Sequence, residues 1–319
     1  MLMIDIDKLT SGNRRALAKA ITLVESKLDQ HREQSQALLN TLLPNTGNSI
    51  RIGITGIPGV GKSTFIEAFG LYLVSQGKKV AVLAVDPSSP IRGGSILGDK
   101  TRMELLSREE NAFIRPSPSE GALGGVAQKT RETMLLCEAA GYDVILVETV
   151  GVGQSEFEVA AMVDFFLVLM LPNAGDELQG IKRGIMELAD ALVINKADGE
   201  SINLAAQTQS HYKNAFHLLS NDTFWQPKVK TCSALQQTGI KEVWDMVCEY
   251  ESLAKAKGHF EGNRAHQNRD WMQKLIHEML QLKLNSHPDI KAKRPALEQA
   301  VLENKTTPYH AAKTLLDLM

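Results

Sequence analysis

One stretch of the chain has the residue types and spacing of a phosphate-binding loop. It reads Gly56, Ile57, Pro58, Gly59, Val60, Gly61, Lys62, Ser63 and Thr64, and it fits the pattern G-x-x-x-x-G-K-S/T without a mismatch. The glycines let the backbone turn its N–H groups toward a phosphate, and a helix that starts there adds its positive dipole end. We expect Lys62 to reach the β- and γ-phosphates of a nucleotide and the Ser63 hydroxyl to bind Mg²⁺. An ordinary glycine-rich turn would need neither side chain.

A second motif further along the chain indicates which base the nucleotide carries. Asn195-Lys196-Ala197-Asp198 matches N-K-x-D. A carboxylate at Asp198 can accept hydrogen bonds from the ring N–H and the exocyclic amine of guanine, whereas adenine presents an acceptor at the equivalent ring nitrogen. Because an unpaired buried carboxylate is costly, we expect GTP and GDP to be preferred over ATP. Asn195 should brace the loop and bond the base edge, and the Lys196 stem should lie across the ring.

A third segment follows the next expected strand and completes this set. In Thr231-Cys232-Ser233-Ala234-Leu235, the backbone N–H groups of Ser233, Ala234 and Leu235 are expected to face the guanine carbonyl. Each short motif alone is weak, since a polar loop can contain it by chance. Their order after the phosphate-binding loop predicts a GTP-binding site.

Acidic residues after two strands are candidates for the metal site. Glu148 follows the apolar run Val144–Val147, where it should hold Mg²⁺ through a water, and the Gly151 N–H should meet the γ-phosphate and report its loss. A carboxylate in this place could instead cap the following helix. Val152 stands where small signalling GTPases carry a water-positioning Gln, so we expect slow intrinsic hydrolysis.

A long polar loop, residues 86–100, carries two more acids. Asp86 is expected to act on Mg²⁺ or its waters, and Asp99 to join it when the loop closes. Loops of this length are usually functional or disordered. Its neighbourhood also contains candidate transition-state cations that could equally be solvated surface groups: Arg92, Lys100 and Arg102.

The elements that position these residues are predicted from apolar runs separated by helical stretches. Four runs are nearly continuous in apolar residues, as parallel strands buried on both faces require: Val80–Val85, Val144–Val147, Phe165–Leu171 and Ala191–Ile194. Val126–Ala140 and Ile202–Leu219 are long enough to be crossover helices. We therefore predict an α/β fold, a doubly wound, mainly parallel sheet of the P-loop NTPase type, with ligands at the carboxyl ends of the strands.

Helical patterns flank this sheet domain on both sides. The predicted division is an N-terminal helical extension over residues 1–48, a GTPase domain over 49–257 and helices alone over 258–319. The last segment is too simply patterned for a rich core of its own, so we expect it to dock on the main domain or on another subunit.

Composition excludes several classes of partner. A formal net charge of −2 with no long Lys/Arg run argues against nucleic acid and against a membrane surface. The acidic N-terminus lacks the pattern of a secretory signal, so a cytoplasmic location is expected. Cys137, Cys232 and Cys248 lack the spacing of a zinc or redox site, so we expect all three to be small buried hydrophobes.

Four longer segments carry a family resemblance. They are A-V-D-P-S-S-P at 84–90, G-G-S-I-L-G-D-K-T-R-M at 93–103, Y-D-V-I-L-V-E-T-V-G-V-G-Q-S-E at 142–156 and G-D-E-L-Q-G-I-K-R-G at 175–184. Together they closely resemble the MeaB/ArgK family of GTPases, and the match runs across residues 50–235. The helical ends resemble the family's N-terminal extension and C-terminal dimerisation arm only loosely.

The resemblance implies a function that the residues alone do not identify. It implies a homodimeric, metallochaperone-like GTPase that binds adenosylcobalamin-dependent methylmalonyl-CoA mutase, gates cofactor loading and protects that enzyme. It further implies three switch regions, at residues 86–102, 148–156 and 173–184. Asp86, Asp99 and Glu148 would then lie at the metal and hydrolysis site.

Two other functions remain open at this point. One is a transport-associated ArgK-type kinase or ATPase for arginine and ornithine uptake, which would need a phosphorylation site or a membrane partner that the sequence does not show. The other is a nickel-delivery GTPase of similar fold. The eight histidines are scattered from His31 to His310 without a metal-storing cluster, which argues against nickel delivery.

The base-reading assignment predicts the outcome of one substitution. Asp198→Asn should move the preference from guanine toward xanthine nucleotides, because an amide can donate to the extra carbonyl of xanthine where the carboxylate cannot. Calorimetric titration of the variant with GDP and with xanthosine diphosphate measures this preference. An unchanged preference for guanine would show that Asp198 does not read the base.

Overall fold

The sheet at the centre of the protein consists of parallel strands only. The structure, a computed structural model, describes residues 4–26, 28–85, 103–117, 125–149, 155–172, 183–219 and 224–319. The strands are β1 Ile50–Gly56, β2 Val80–Val85, β3 Ala112–Ser117, β4 Val144–Thr149, β5 Phe165–Met170, β6 Ala191–Ile194 and β7 Lys228–Thr231. They form a seven-stranded sheet in the order β3-β2-β4-β1-β5-β6-β7, and every pairing is parallel. This confirms the predicted α/β fold.

β1 lies at the point where the order of strands reverses. Its neighbours are β4 on one side and β5 on the other, with Ile54 opposite Glu148 and Thr55 opposite Val168. Ile52 and Ile54 are fully buried, as a central strand covered on both faces requires. Because ligands of such sheets bind beyond the carboxyl ends of the strands at this reversal, the loop after β1 occupies the expected ligand position.

Three strands differ from the prediction, and β5 does so only by ending one residue earlier, at Met170. β3 was not among the predicted strands; it contains Arg115 and Pro116, which weaken the apolar signal, and it lies at the edge of the sheet, where proline is tolerated. β4 extends two residues beyond the predicted Val147, so Glu148 and Thr149 lie within the strand. The Thr149 hydroxyl donates a hydrogen bond to Thr55 Oγ1 at 2.8 Å, which satisfies this polar residue in a buried position.

Helices cover both faces of the sheet. Up to the last strand they are α1 Ile6–Thr10, α2 Arg14–Glu25, α3 Asp29–Leu42, α4 Lys62–Ser75, α5 Glu104–Arg108, α6 Gly125–Ala139, α7 Ser155–Ala160, α8 Arg183–Leu188 and α9 Ile202–Leu219. The predicted helix over 202–219 has the same bounds, and that over 126–140 is shifted by one residue. α4 begins at the phosphate-binding motif and buries Phe65, Ile66 and Phe69 in the core, so packing fixes the position of its first turn.

The remaining helices are α10 Ile240–Ala256, α11 His259–Ser286, α12 Pro288–Leu302 and α13 Pro308–Leu316. The chain divides into two compact units, residues 1–264 and 265–319, so that the division falls inside α11. In the second unit α12 and α13 pack together and bury Ile290 and Ala311. No helix of the described residues is long and apolar enough to cross a membrane.

The cysteine prediction is correct at two positions and wrong at the third. Cys137 and Cys232 are buried, and burial raises the pKa of the Cys232 thiol to about 12. Cys248 is exposed. It lies on α10, whose core-facing positions include Val243, Val247 and Tyr250, and position 248 falls outside that stripe.

A buried ion-pair network holds the start of β1, the start of β5 and the first turns of α11 together. Two nitrogens of the Arg264 guanidinium donate to the Asp164 carboxylate at 2.6 and 2.7 Å, and the same group donates to the Ser49 carbonyl at 2.6 Å. Glu138 lies 3.6 Å from Arg264 and 2.8 Å from Arg51 Nε. The side chains of Asp164 and Glu138 are 2% and 1% exposed, so neither carboxylate can rely on water.

Removing Arg264 is therefore expected to destabilise the protein strongly. Arg264→Leu should lower the free energy of unfolding by about 3–5 kcal/mol, because Asp164 would stay buried without its main counter-charge. The control is Arg269→Leu, whose partner is the exposed Asp270 and whose loss should cost about 0–1 kcal/mol. Urea denaturation of both variants measures the difference. Equal losses would contradict the role assigned to the network.

Candidate functional site

The phosphate-binding motif forms the connection from β1 to α4. Gly56 ends the strand and Lys62 begins the helix, so the residues between them cross the carboxyl end of the sheet. Gly61 has a left-handed backbone with φ of +92°, and a Cβ atom there would lie 2.8 Å from Asn195 Nδ2. A side chain at this position would therefore be strained and would also collide with the Asn195 amide.

The Lys62 side chain lies across the loop. Its ammonium group donates to the carbonyl oxygens of Gly56 at 2.7 Å and Ile57 at 3.3 Å. Partial burial lowers the pKa of Lys62, and the charges of Glu148 and Glu156 act in the opposite direction and raise it. The two carboxylates thus offset part of the cost of burying the ammonium group, which keeps a cation at the position expected for nucleotide phosphates.

The start of α4 and the end of β4 meet at the expected metal position. The Ser63 hydroxyl donates to Glu148 Oε1 at 3.3 Å, and Glu148 is 9% exposed. A hydroxyl and a carboxylate are hard oxygen ligands of the kind that Mg²⁺ prefers, so these two residues fit the predicted ion. Across the described ranges, no cluster of three or more His, Cys, Asp or Glu residues forms a ready-made metal site.

Several predicted residues lie outside the described residues. They are Asp86, Arg92, Asp99, Lys100, Arg102, Gly151 and Val152, together with segment 173–182. Their proposed roles stay predictions from the sequence. Residues 183 and 184 of the predicted third switch region are described, and they form the beginning of α8.

The Asn195 side chain joins the base-reading loop to the phosphate-binding loop. Its Nδ2 donates to the Val60 carbonyl at 2.9 Å, and its Oδ1 accepts from the Ala234 N–H at 3.1 Å. Asn195 is 2% exposed, so both ends of its amide are satisfied by protein. Lys196 adds a second link, since its ammonium group donates to the Gly59 carbonyl at 2.9 Å. The three loops after β1, β6 and β7 are therefore held at fixed positions relative to one another.

Ser233 holds the carboxylate that is expected to read guanine. The buried Ser233 hydroxyl donates to Asp198 Oδ2 and accepts from the Gln236 N–H at 3.1 Å. The Ser233 N–H donates to the Thr238 carbonyl at 3.0 Å, and the Ala234 N–H is used by Asn195. Two of the three N–H groups predicted to face guanine thus already donate to protein acceptors, one within the same loop and one to Asn195 in the loop after β6. The third belongs to Leu235, whose side chain is 80% exposed.

Sequence reasoning assigned no role to Glu156, although the residue belongs to the second predicted switch region. It lies in the first turn of α7, is 4% exposed, and contributes to the charge around Lys62. Within the described ranges its Oε2 atom has no hydrogen-bond partner. Glu156 lies outside both nucleotide-binding motifs, residues 56–64 and 195–198. The sequence marks it only as the last residue of the segment 142–156, which carries the family resemblance.

The Asn195 contacts predict a loss of affinity that is independent of the γ-phosphate. Asn195→Ala should weaken GDP and GTP binding by similar factors, on the order of 5- to 150-fold, because the loops lose hydrogen bonds worth about 1–3 kcal/mol and binding must then hold them in place. Asn203→Ala, an exposed asparagine on α9, is the control and should bind both nucleotides normally. Calorimetry measures both affinities. A loss confined to GTP would place Asn195 at the γ-phosphate instead.

Comparison with known proteins agrees with this geometry. Residues 17–289 match the family model described as methylmalonyl Co-A mutase-associated GTPase MeaB. GTPase ArgK of Escherichia coli is 49% identical over 98% of this chain and 95% of its own length. The mitochondrial methylmalonic aciduria type A homolog of Mus musculus is 49% identical over 97% of this chain and 77% of its own length.

A solved structure supports the same relationship. The crystal structure of an LAO/AO transport system kinase superimposes with a TM-score of 0.78 at 43% identity, covering 98% of this chain and 95% of that chain. The family match spans far more than half of the sequence, and the relatives align over nearly all of it. The resemblance predicted from the sequence is confirmed, and the chain belongs to the MeaB family of methylmalonyl-CoA mutase-associated GTPases.

Proposed function

We propose that this protein is a GTP-hydrolysing chaperone of an adenosylcobalamin-dependent methylmalonyl-CoA mutase, gating cofactor loading and protecting the enzyme. Nucleotide binding is supported by one observation above all. Asn195 contacts both Val60 and Ala234, so the phosphate-binding loop and the base-reading loops lie side by side. The partner part rests on membership of a family described by its association with that mutase.

Guanine is read by a fixed carboxylate and one backbone group. Asp198 is held by Ser233 and accepts from the ring N–H and exocyclic amine of the base. Of the three N–H groups considered in this loop, we assign the guanine carbonyl to that of Leu235, because the N–H of Ser233 already donates to Thr238 and that of Ala234 to Asn195. A base with an acceptor in place of the ring N–H would leave the Asp198 carboxylate unpaired, which explains the discrimination against adenine.

The phosphate end combines a cation with metal ligands. Lys62 lies beside the loop carbonyls of Gly56 and Ile57 and would contact the β- and γ-phosphates. Ser63 and Glu148 would hold Mg²⁺, which neutralises the phosphate charge. Asp86 and Asp99 complete the metal and hydrolysis site, and the Gly151 N–H senses the γ-phosphate. With Val152 after that glycine, the intrinsic rate is slow.

The proposal includes a homodimer. In the three-part division proposed from the sequence, residues 1–48 extend the GTPase domain of residues 49–257, and residues 258–319 form a homodimerisation arm. In support, one face of α11 carries large apolar side chains that are 42% to 54% exposed: Met272, Ile276, Met279 and Leu280. Apolar residues at this helical spacing fit burial against a second copy. We also propose that the protein is located in the cytoplasm.

A transport-associated kinase is the second candidate, because one similar structure is described as an LAO/AO transport system kinase. A kinase would move the γ-phosphate onto an acceptor molecule, whereas a GTPase moves it onto water. An experiment with γ-labelled nucleotide and a candidate acceptor therefore separates the two activities: a kinase would label the acceptor, and a GTPase would release labelled phosphate. Nickel delivery is the other alternative from the sequence, and measuring bound nickel on the purified protein tests it.

The test of the proposal is hydrolysis with and without the mutase. Purified methylmalonyl-CoA mutase should form a complex with the protein and raise phosphate release from GTP, because binding orders the segment 86–102 and brings Asp99 to the metal site. Asp99→Ala should lose mainly the stimulated part of the rate. No complex and no stimulation would contradict the proposed partner, and an equal loss of basal and stimulated rates would make Asp99 a constant part of the site.

A further inference from the structure

A groove lies at one edge of the sheet, between α9 and β7. β7 is the last strand in the sheet order and pairs with β6, and α9 packs against it. The groove has a volume of about 280 Å³, and its lining includes residues from the middle of α9 and from β7: Gln209, Lys213, Phe216, Lys228, Val229 and Lys230. None of the described residues of the nucleotide-binding motifs lines it, so the groove is separate from the proposed nucleotide site.

Lysine side chains give this groove an excess of positive charge. Lys228 pairs with Glu249 of α10 at 2.5 Å, but the two side chains are 36% and 51% exposed, so water weakens the pair. Lys213 and Lys230 form no ion pair within the ranges that the structure describes. The groove thus combines three cations with one carboxylate, although the whole chain has a net charge of −2. Such a local excess attracts an anionic ligand.

The backbone of β7 offers little to a ligand at this point. The Gln209 side-chain amide donates to the Val229 carbonyl at 2.9 Å, so it occupies an acceptor that an added strand would otherwise use. Main-chain pairing is the usual way in which a sheet edge captures a peptide. Phe216 and Val229 are buried and form an apolar floor. Recognition in this groove therefore depends on the lysine side chains above that floor.

The positions of the lysines match an extended chain better than a single phosphate. Lys228 and Lys230 are alternate residues of one strand, so their Cα atoms are about 6.6 Å apart and their side chains leave on the same face. Alternate side chains of any extended peptide have the same separation. α9 begins at Ile202, about two turns before Gln209, so the N–H groups at its first turn, which commonly bind phosphate, do not reach the groove.

Protection of the sheet edge does not account for all three lysines. Lysines on an edge strand discourage pairing with other chains, which would explain Lys228 and Lys230. Lys213 lies on α9, where that protection needs no charge, yet it lines the same groove. The third lysine is thus the observation that indicates binding rather than protection alone.

We propose that this groove binds an acidic, extended peptide segment of a partner protein. Carboxylates at alternate positions of the segment face Lys228 and Lys230, and a further carboxylate reaches Lys213. The proposal identifies the occupant by its charge and conformation and adds a second binding surface to the proposed GTPase. It does not depend on which nucleotide the protein binds.

A synthetic peptide of repeating Glu-Thr tests the proposal by fluorescence anisotropy with the full-length protein at low salt. It should bind on the order of tenfold or more tightly than a Gln-Thr peptide. The double variant Lys213→Glu, Lys230→Glu should lose about that factor, because two attractions become repulsions. The matched control is Lys291→Glu, Lys293→Glu, which makes the same charge change at two exposed lysines of α12 and should keep the affinity.

Reversing the charge of the peptide separates lost binding from lost folding. A Lys-Thr peptide should bind the groove variant more tightly than it binds the wild type, and thermal unfolding of both proteins shows that the variant is folded. No binding of the Glu-Thr peptide by the wild type, or equal losses in the two double variants, would overturn the proposal. Displacement of the peptide by inorganic phosphate as effectively as by unlabelled peptide would also overturn it, because the ligand would then be a phosphate.

Discussion

The amide of Asn195 is the interaction on which the site depends. Its nitrogen donates to Val60 in the phosphate-binding loop, and its oxygen accepts from Ala234 in the loop after β7. Because the side chain is 2% exposed, both polar atoms must find protein partners, and only one relative placement of the loops provides them. The parallel sheet brings the strand ends to one edge, and this amide then links the loops after β1, β6 and β7 at that edge.

Charge balance determines what the phosphate end of the site can bind. Burial makes the Lys62 ammonium group costly, and Glu148 and Glu156 reduce that cost. A nucleotide triphosphate would add negative charge beside these two carboxylates. In the proposed function, a divalent cation held by Ser63 and Glu148 would neutralise part of that charge.

The sequence predicted the elements whose signal is local and missed those that depend on distant contacts. Apolar runs indicated the buried strands, and fixed spacing indicated Lys62, Ser63 and Asp198. β3 was missed because Arg115 and Pro116 interrupt its apolar pattern at the sheet edge. The carboxylate partners of Arg264 lie 100 residues or more away in the chain, so no spacing could indicate that network. The position of Cys248 on the exposed side of α10 likewise follows from packing alone.

The central claim is that this fold holds Asp198 so that it reads guanine at both of its donor groups. Calorimetric titration of the wild-type protein with GTP, inosine triphosphate and ATP in the presence of Mg²⁺ tests it most directly. Inosine keeps the ring N–H and lacks the exocyclic amine, so its affinity should fall between the other two, and ATP should bind weaker than GTP by orders of magnitude. Equal affinity for ATP and GTP would contradict the claim.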